Sequence, residues 1–329
     1  MPGFEHIIKR AQERPGRIVL PEGDDPRVVN DAAKALTTGI AKPVLLGNKA
    51  TIQAVADGEN VSLAGIEIID PAQSEDLQTL IDALVVRRAK RGMTPEKAAE
   101  AILDPLHFAC MMVHKGLADG CVAGAVYATA TVVRSAMQLV GKHEDYSFVS
   151  SFFMMLMSED FHPRDDVMFF SDCALVIDPD EHEMAEIAVV TGQSAVSLLG
   201  IDPEIAMLSF STAGSASHST VSKVQKATAI AREKRPDWRI IGEVQLDAAV
   251  IPPILAKKSP EQATDNPANI LIFPSLDAGN IGYKMCERFG NVEAIGPVLQ
   301  GLSKPVNDLS RGCKTDDIYN IIAVTCNQV

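Results

Sequence analysis

RIVLPEGDDPRVVNDAAKALTTGIAKPVLL, Arg17–Leu46, decides the fold class. Arg17–Leu20 is a short run of buried type that stops at Pro21-Glu-Gly23, as expected for an inner strand of a parallel sheet. Asp25-Pro26 then opens a helix through about Leu36, with Val28, Val29, Ala32, Ala33 and Leu36 on one face. Pro43–Leu46 is a second strand. A strand, an amphipathic helix and another strand pack stably when the two strands lie parallel and the helix makes a right-handed crossover.

The same alternation continues in both directions. A short helix is expected over 4–13, a third strand over Ile66–Ile69, and helices over 49–56 and 75–90. Thr94-Pro95 caps a helix over 95–103 and Pro105 starts another to about Lys115. The run 118–125, ADGCVAGA, enters a small-residue turn, and Thr129–Val140 then reads as a helix carrying Arg134. A strand ending in Gly and Ala before a helix is a usual ligand position in an open α/β sheet, although Gly120 and Gly124 could equally serve close helix–strand packing. The polar segment Gly141–Tyr146 marks a boundary.

Beyond it, Ser150–Met157 and Asp166–Ile177 are expected as a hairpin-like pair of extended runs joined through His162-Pro163. Then come a helix over Asp180–Leu199, a strand over Ile205–Phe210, a polar loop and a helix over 219–234. Further strands are expected at Ile240–Leu246 and Asn269–Pro274, with helices at 247–257 and 278–289. Pro252-Pro253 is expected to break the first of these. The chain closes with Val292–Leu299 and a helix over 315–329.

A chain of 329 residues with 47% hydrophobic and 22% charged residues suits two packed α/β lobes. A net charge of −13 excludes a nucleic-acid or anionic-membrane surface as the main function, because either needs a basic face. Any anionic ligand must be met by local positive charge. The six cysteines include no C-x-x-C pair and no zinc-spaced histidine cluster, so reduced thiols and no metal site are expected. The start MPGFEHIIKRAQERPGR lacks a signal-peptide core, and no apolar run is long enough to span a bilayer. A cytoplasmic protein is expected.

One segment concentrates chemistry: KPVNDLSRGCKTDDI, Lys304–Ile318. It reads as a polar loop entering a helix, with Thr315 as N-cap. Ser310, Arg311, Asp316 and Asp317 fall within eight residues. A helix start also offers free N–H groups and the positive end of the macrodipole, which suit an anion. Two readings remain open from spacing alone. Either an oxyanion is held here while a carboxylate takes a proton, or the aspartates complement the dipole and Arg311 pairs with them locally.

KPVNDLSRGC followed by DDI resembles the C-terminal signature of phosphate acetyltransferases. So, in order, do ADGCVAGA (118–125), the T-x-x-V-R ending at Arg134, SDCAL (171–175), LSFST (208–212), GEVQLDAA (242–249), FPSLDAGNIGYK (273–284) and IGPVLQG (295–301). The likeness covers essentially the whole chain. It implies two α/β lobes with parallel or mixed sheets and an interdomain cleft, similar to isocitrate and isopropylmalate dehydrogenases. The first domain would be discontinuous, 1–143 plus 296–329, and the second would be 144–295. It also implies a homodimer that transfers acetyl between coenzyme A and acetyl phosphate, with coenzyme A as substrate and no bound cofactor or metal.

By the same resemblance, Asp317 matches the general base, Arg311 the arginine on the phosphoryl or acyl oxygens, and Ser310 the donor to the developing oxyanion. Arg134 and Arg88 match substrate-anion arginines, although Arg88 sits in a basic helix end that favours the dipole in any protein. Ser211, Thr212, Gly214 and Ser215 match a phosphate-side loop, in which this chain has Ala213 where many members carry lysine. Direct transfer is expected rather than an acetyl-Cys313 route. Competing readings are another acyl-phosphate transferase, such as a phosphate butyryltransferase, and a non-catalytic acetyl-CoA-sensing module.

Overall fold

A computed structural model describes residues 2–157 and 167–329. The chain opens with α1 (Pro2–Glu13), β1 (Gly16–Leu20), α2 (Pro26–Thr37), β2 (Ala41–Leu46), α3 (Lys49–Glu59) and β3 (Glu67–Ile69). Next come α4 (Leu77–Arg88), α5 (Pro95–Ala101), α6 (Pro105–Lys115), β4 (Gly120–Ala123) and α7 (Thr129–Ser135), which runs on as a π turn over Ala136–Val140. A middle section holds β5 (Ser150–Leu156), β6 (Val167–Ser171), α8 (Glu181–Leu199), β7 (Glu204–Leu208), α9 (Ser219–Lys234) and β8 (Arg239–Val244). It continues through α10 (Leu246–Val250), α11 (Pro252–Lys258), β9 (Ile270–Ile272), α12 (Leu276–Phe289) and β10 (Glu293–Gln300). The last elements are β11 (Val306–Asp308) and α13 (Thr315–Asn327).

These elements form two compact units, one of residues 6–149 with 301–329 and one of 150–300 with 1–5. In the first, five strands lie in the order β11-β4-β1-β2-β3, all parallel. Parallel strands covered by helices lose both faces to the core, which is why β1, β2 and β4 are almost continuously apolar. Val19, Val44, Leu80, Leu84, Phe108 and Met111 are among the side chains at its centre. The order reverses beside β1: β2 and β3 extend one way, and β4 and β11 the other. The carboxyl end of such a switch point is where open α/β sheets leave a crevice.

The second unit has a six-stranded mixed sheet, β10-β5-β6-β9-β7-β8. β10–β5 and β5–β6 are antiparallel, and the other neighbours are parallel. The antiparallel pairing of the two extended runs matches expectation; the joint at His162-Pro163 lies outside the described residues. β6 ends at Ser171 rather than Ile177. Asp172 stops it by accepting the Ala174 and Leu175 N–H groups at 2.8 and 2.9 Å. Likewise β8 ends at Val244, and the helix expected over 247–257 is two helices broken at Ile251, before Pro252.

Candidate active site

β11 delivers the chain to the carboxyl edge of the first sheet, where the Leu309 N–H bonds the Ala123 carbonyl at 2.8 Å. The chain then turns tightly. Ser310 Oγ accepts the Gly312 N–H at 3.2 Å, and the Cys313 N–H bonds the Ser310 carbonyl at 2.8 Å. Ser310 and Arg311 are exposed. Arg27, in the first turn of α2, holds this turn from below. Its Nη1 donates to the carbonyls of Arg311 at 2.9 Å and Cys313 at 3.1 Å. Its Nη2 donates to the Ala125 carbonyl and to Asp25, both at 2.8 Å. Asp25 is also the N-cap of α2. Burial works to raise the Asp25 pKa, but its hydrogen bonds and charge pairing with Arg27 prevail and hold it below the ordinary value.

Helix α13 starts at Thr315, so Lys314 and not Thr315 stands at the cap. The reason is Asp317. From the third helical position its Oδ2 accepts the Lys314 N–H at 2.7 Å, satisfying the end from inside the helix. Oδ1 of Asp317 has no hydrogen-bond partner among the described residues. Asp316 points elsewhere, its Oδ1 2.5 Å from Lys34 Nζ. Asp317 thus caps the helix through Oδ2, and Arg311 pairs with neither aspartate among the described residues.

A side chain of the protein stands at the switch point. Glu22, just after β1, is buried and accepts four successive N–H groups of the turn after β4. Gly124 donates at 3.0 and 3.1 Å to its two oxygens, Ala125 at 2.9 Å, and Val126 and Tyr127 at 2.8 Å. Gly124 has φ +111°, and a Cβ there would clash with Asp308 and sit 2.6 Å from the Leu309 nitrogen. Successive N–H groups form a nest that binds an anion, and here the anion is Glu22. Arg134 lies in the last turn of α7, exposed and without an ion pair among the described residues. Arg88 ends α4 half-buried. Its neighbour Arg87 is the one that ties down the π turn, donating to the Leu139 and Val140 carbonyls at 3.1 and 3.0 Å.

The Ser211–Ser215 loop belongs to the other unit and is closed around Glu243. Glu243 Oε1 accepts Ser211 Oγ and the Gly214 N–H, each at 2.8 Å, and Oε2 accepts Gln225 at 2.9 Å. Burial opposes ionisation of Glu243, yet these donors outweigh it and lower its pKa. Ser215 Oγ accepts the Thr212 N–H at 3.1 Å, and Thr212 Oγ1 accepts the Gln245 N–H at 2.9 Å. Ala213 and Gly214 are left-handed, at φ +49° and +74°. The hydroxyls of Ser211 and Thr212 and the Gly214 N–H are thus spent on Glu243 and Gln245 of the same unit.

Cys313 is buried beside Arg27, with Sγ 3.6 Å from Nη1. Burial pushes its thiol up to about 11 against the pull of Arg27, so it is protonated near neutral pH. No cluster of three or more His, Cys, Asp or Glu side chains fit for a metal exists among the described residues. Residue-by-residue reading missed Glu22, Arg27, Asp31 and Asp308. Two of these are buried acids with orphaned oxygens: Oδ1 of Asp31, and both oxygens of Asp308, have no well-formed hydrogen bond among the described residues.

Comparison with known proteins agrees along the full length. The family model described as phosphate acetyl/butaryl transferase matches residues 4–326. The chain is 46% identical over 325 residues to a phosphate acetyltransferase of Thermoanaerobacterium thermosaccharolyticum, covering 99% of this chain and 98% of that one. It is 42% identical to that of Bacillus subtilis, with the same coverage. Among solved structures it is similar to the EutD phosphotransacetylase from Staphylococcus aureus, with TM-score 0.91 and 40% identity over 99% of this chain and 98% of that one. A whole-length family match at these identities leaves one assignment: the chain belongs to the phosphate acetyl/butaryl transferase family.

Proposed function

We propose that this protein is a phosphate acetyltransferase, moving acetyl reversibly between coenzyme A and acetyl phosphate by direct attack in a ternary complex. The observation that carries the reading is the full-length match to proteins of that name. Ser310, Arg311 and Asp317 also lie on one short segment held against α2.

The chemistry requires a thiol to lose its proton as sulfur attacks the acetyl carbon. The carbon–oxygen bond to phosphate then breaks, and phosphate leaves with the electron pair. In this reading Asp317 takes the proton, Arg311 balances the phosphoryl or acyl oxygens, and Ser310 donates to the developing oxyanion, a role worth about 3–4 kcal/mol when well placed. An ordinary thiol and an ordinary aspartate differ by about 4–5 pKa units, roughly 6 kcal/mol against full transfer. Proton removal therefore runs with attack rather than ahead of it. Arg134 and Arg88 grip the anionic parts of the substrates, and Ser211, Thr212, Gly214 and Ser215 face the phosphate. That last role requires the loop to exchange bonds now made to Glu243 for bonds to substrate.

The same reading carries a discontinuous first domain, 1–143 plus 296–329, a second over 144–295, and a substrate cleft on the isocitrate dehydrogenase pattern. It also carries a cytoplasmic homodimer. The two compact units, 6–149 with 301–329 and 150–300 with 1–5, support the division. Among the described residues no helix is long and apolar enough to cross a membrane.

The deciding assay mixes purified protein with acetyl phosphate and coenzyme A and follows thioester absorbance, with butyryl phosphate in parallel. Acetyl transfer well above butyryl transfer is expected. Preference for butyryl would make the protein a phosphate butyryltransferase. Acetyl-CoA binding without turnover of either would make it a sensing module.

A further inference from the structure

Helix α2 carries two stripes. Val28, Val29, Ala32 and Ala35 are buried. Arg27, Asp31, Lys34 and, at its C-cap, Thr38 recur at intervals of four, three and four, which puts them on one face. All four grip the segment 311–319. Arg27 holds two carbonyls of the turn. Asp31 Oδ2 accepts the Tyr319 N–H at 2.8 Å. Lys34 pairs with Asp316 and lies 4.4 Å from the centre of the Tyr319 ring. Thr38 Oγ1 accepts the Tyr319 hydroxyl at 3.2 Å.

Asp31 is the odd member. It has no exposed surface, and its Oδ1 finds no partner among the described residues. The charged groups facing it are Lys34 on its own helix, with Asp316 and Asp317 across on α13. Burial, aided by those two carboxylates, pushes its pKa up to about 7, against the Tyr319 N–H and Lys34. The Tyr319 N–H favours the carboxylate, but burial outweighs it, so the packed interface of α2 and α13 favours the neutral acid.

We propose that Asp31 is a positioning residue for the transfer reaction: neutral, it packs α13 against α2 with Oδ2 on the Tyr319 N–H and so sets Asp317 for its task, and a charge left on the buried Asp31 loosens that hold. This rests on Asp317 being the base. A residue kept only for packing would change stability and leave the pH response of the reaction alone.

The test uses the full chain labelled with ¹⁵N-tyrosine, which gives four amide signals for four tyrosines. In the wild type the Tyr319 amide shift should titrate with a midpoint near 7, the value to which Asp31 is pushed, and kcat should fall on the alkaline side with the same midpoint. Asp31→Asn keeps the shape and an acceptor oxygen but cannot titrate. Its Tyr319 signal should stay flat, its alkaline limb should disappear, and kcat at pH 8 should lie above that of the wild type, with both KM values within about threefold. A Tyr319 amide that does not titrate in the wild type overturns the proposal, even if the variant does not fold. So does a variant whose pH profile matches the wild type in height and shape. Asp317→Asn, assayed alongside, separates the two claims. Normal turnover there removes the base and the catalytic part of this proposal together. Lost turnover there, with an unchanged profile in Asp31→Asn, removes the proposal alone.

Discussion

Glu22 and Gly124 meet across the switch point of the first sheet, both carboxylate oxygens lying 3.0–3.1 Å from the glycine nitrogen. A side chain from the end of one strand thereby supplies the anion that the turn after its neighbour is shaped to hold. The consequence is measurable. Glu22→Ala leaves the N–H groups of residues 124–127 without their acceptor and should cost about 3–5 kcal/mol in urea unfolding, the range for breaking a buried charged network. Phosphate or formate should restore part of that loss by entering the emptied nest. A variant as stable as the wild type, or indifferent to added anions, would contradict the role given to Glu22.

Asp308 makes a pH prediction. It ends β11 fully buried, and burial pushes its pKa from 3.8 to about 7, with the nearby Glu22 charge adding to the rise and Thr129 and the Leu309 N–H opposing it. A raised folded pKa means that stability is intact below about 4, is lost progressively up to about 7, and is level above. Asp308→Asn removes this loss. The variant-minus-wild-type unfolding free energy should therefore climb between pH 4 and 7 and then level, by at most about 4 kcal/mol. Taking the difference cancels the parallel titration of Asp31. A difference that is flat across the window rules out the shift.

The sequence was readable where one force acted alone. β1, α2 and β2 follow from apolar runs and a proline-opened helix, and the two-helix break at Ile251 follows from Pro252. The end of β6 was not readable, because Asp172 stops it through local carboxylate–amide bonds that leave no trace in hydropathy. The cap of α13 was misplaced for a similar reason: Thr315 is a better cap by type, but Asp317 does the work from two residues further on. Ser310, Arg311 and Asp317 stood out because their functional groups are adjacent in sequence. Glu22 and Arg27 did not, since their partners lie about a hundred and nearly three hundred residues away. The stripe of Arg27, Asp31, Lys34 and Thr38 carried a helical period, but the apolar period on the neighbouring face is what a fold assignment looks for.

Arg134 tests the anion-binding side of the site. An exposed guanidinium without an ion pair among the described residues loses no internal contact when neutralised, so Arg134→Gln should unfold within about 0.5 kcal/mol of the wild type. If it grips a phosphate, KM for coenzyme A or acetyl phosphate should rise about tenfold or more while turnover changes little, the pattern of an interaction present in ground and transition states alike. Unchanged constants for both substrates would remove Arg134 from the site.

The sharpest separation lies between neighbours. Asp316 spends its charge on an exposed pair with Lys34, a contact worth about 0–1 kcal/mol. Asp317 spends one oxygen on the Lys314 N–H, and an N3 acid of this kind stabilises its helix by about 0.3–1 kcal/mol. On stability the two are therefore nearly alike, and Asn at either position should unfold within about 1 kcal/mol of the wild type. On turnover they should part. Asp316→Asn should keep kcat within about threefold, because a surface pair carries no chemistry. Asp317→Asn should lower kcat by about a hundredfold or more with small changes in KM, the measure of a lost general base. Asn still accepts the Lys314 N–H, so the cap survives and only the proton acceptor is gone. Near-normal turnover in a folded Asp317→Asn would return this carboxylate to the helix end as a cap and nothing more.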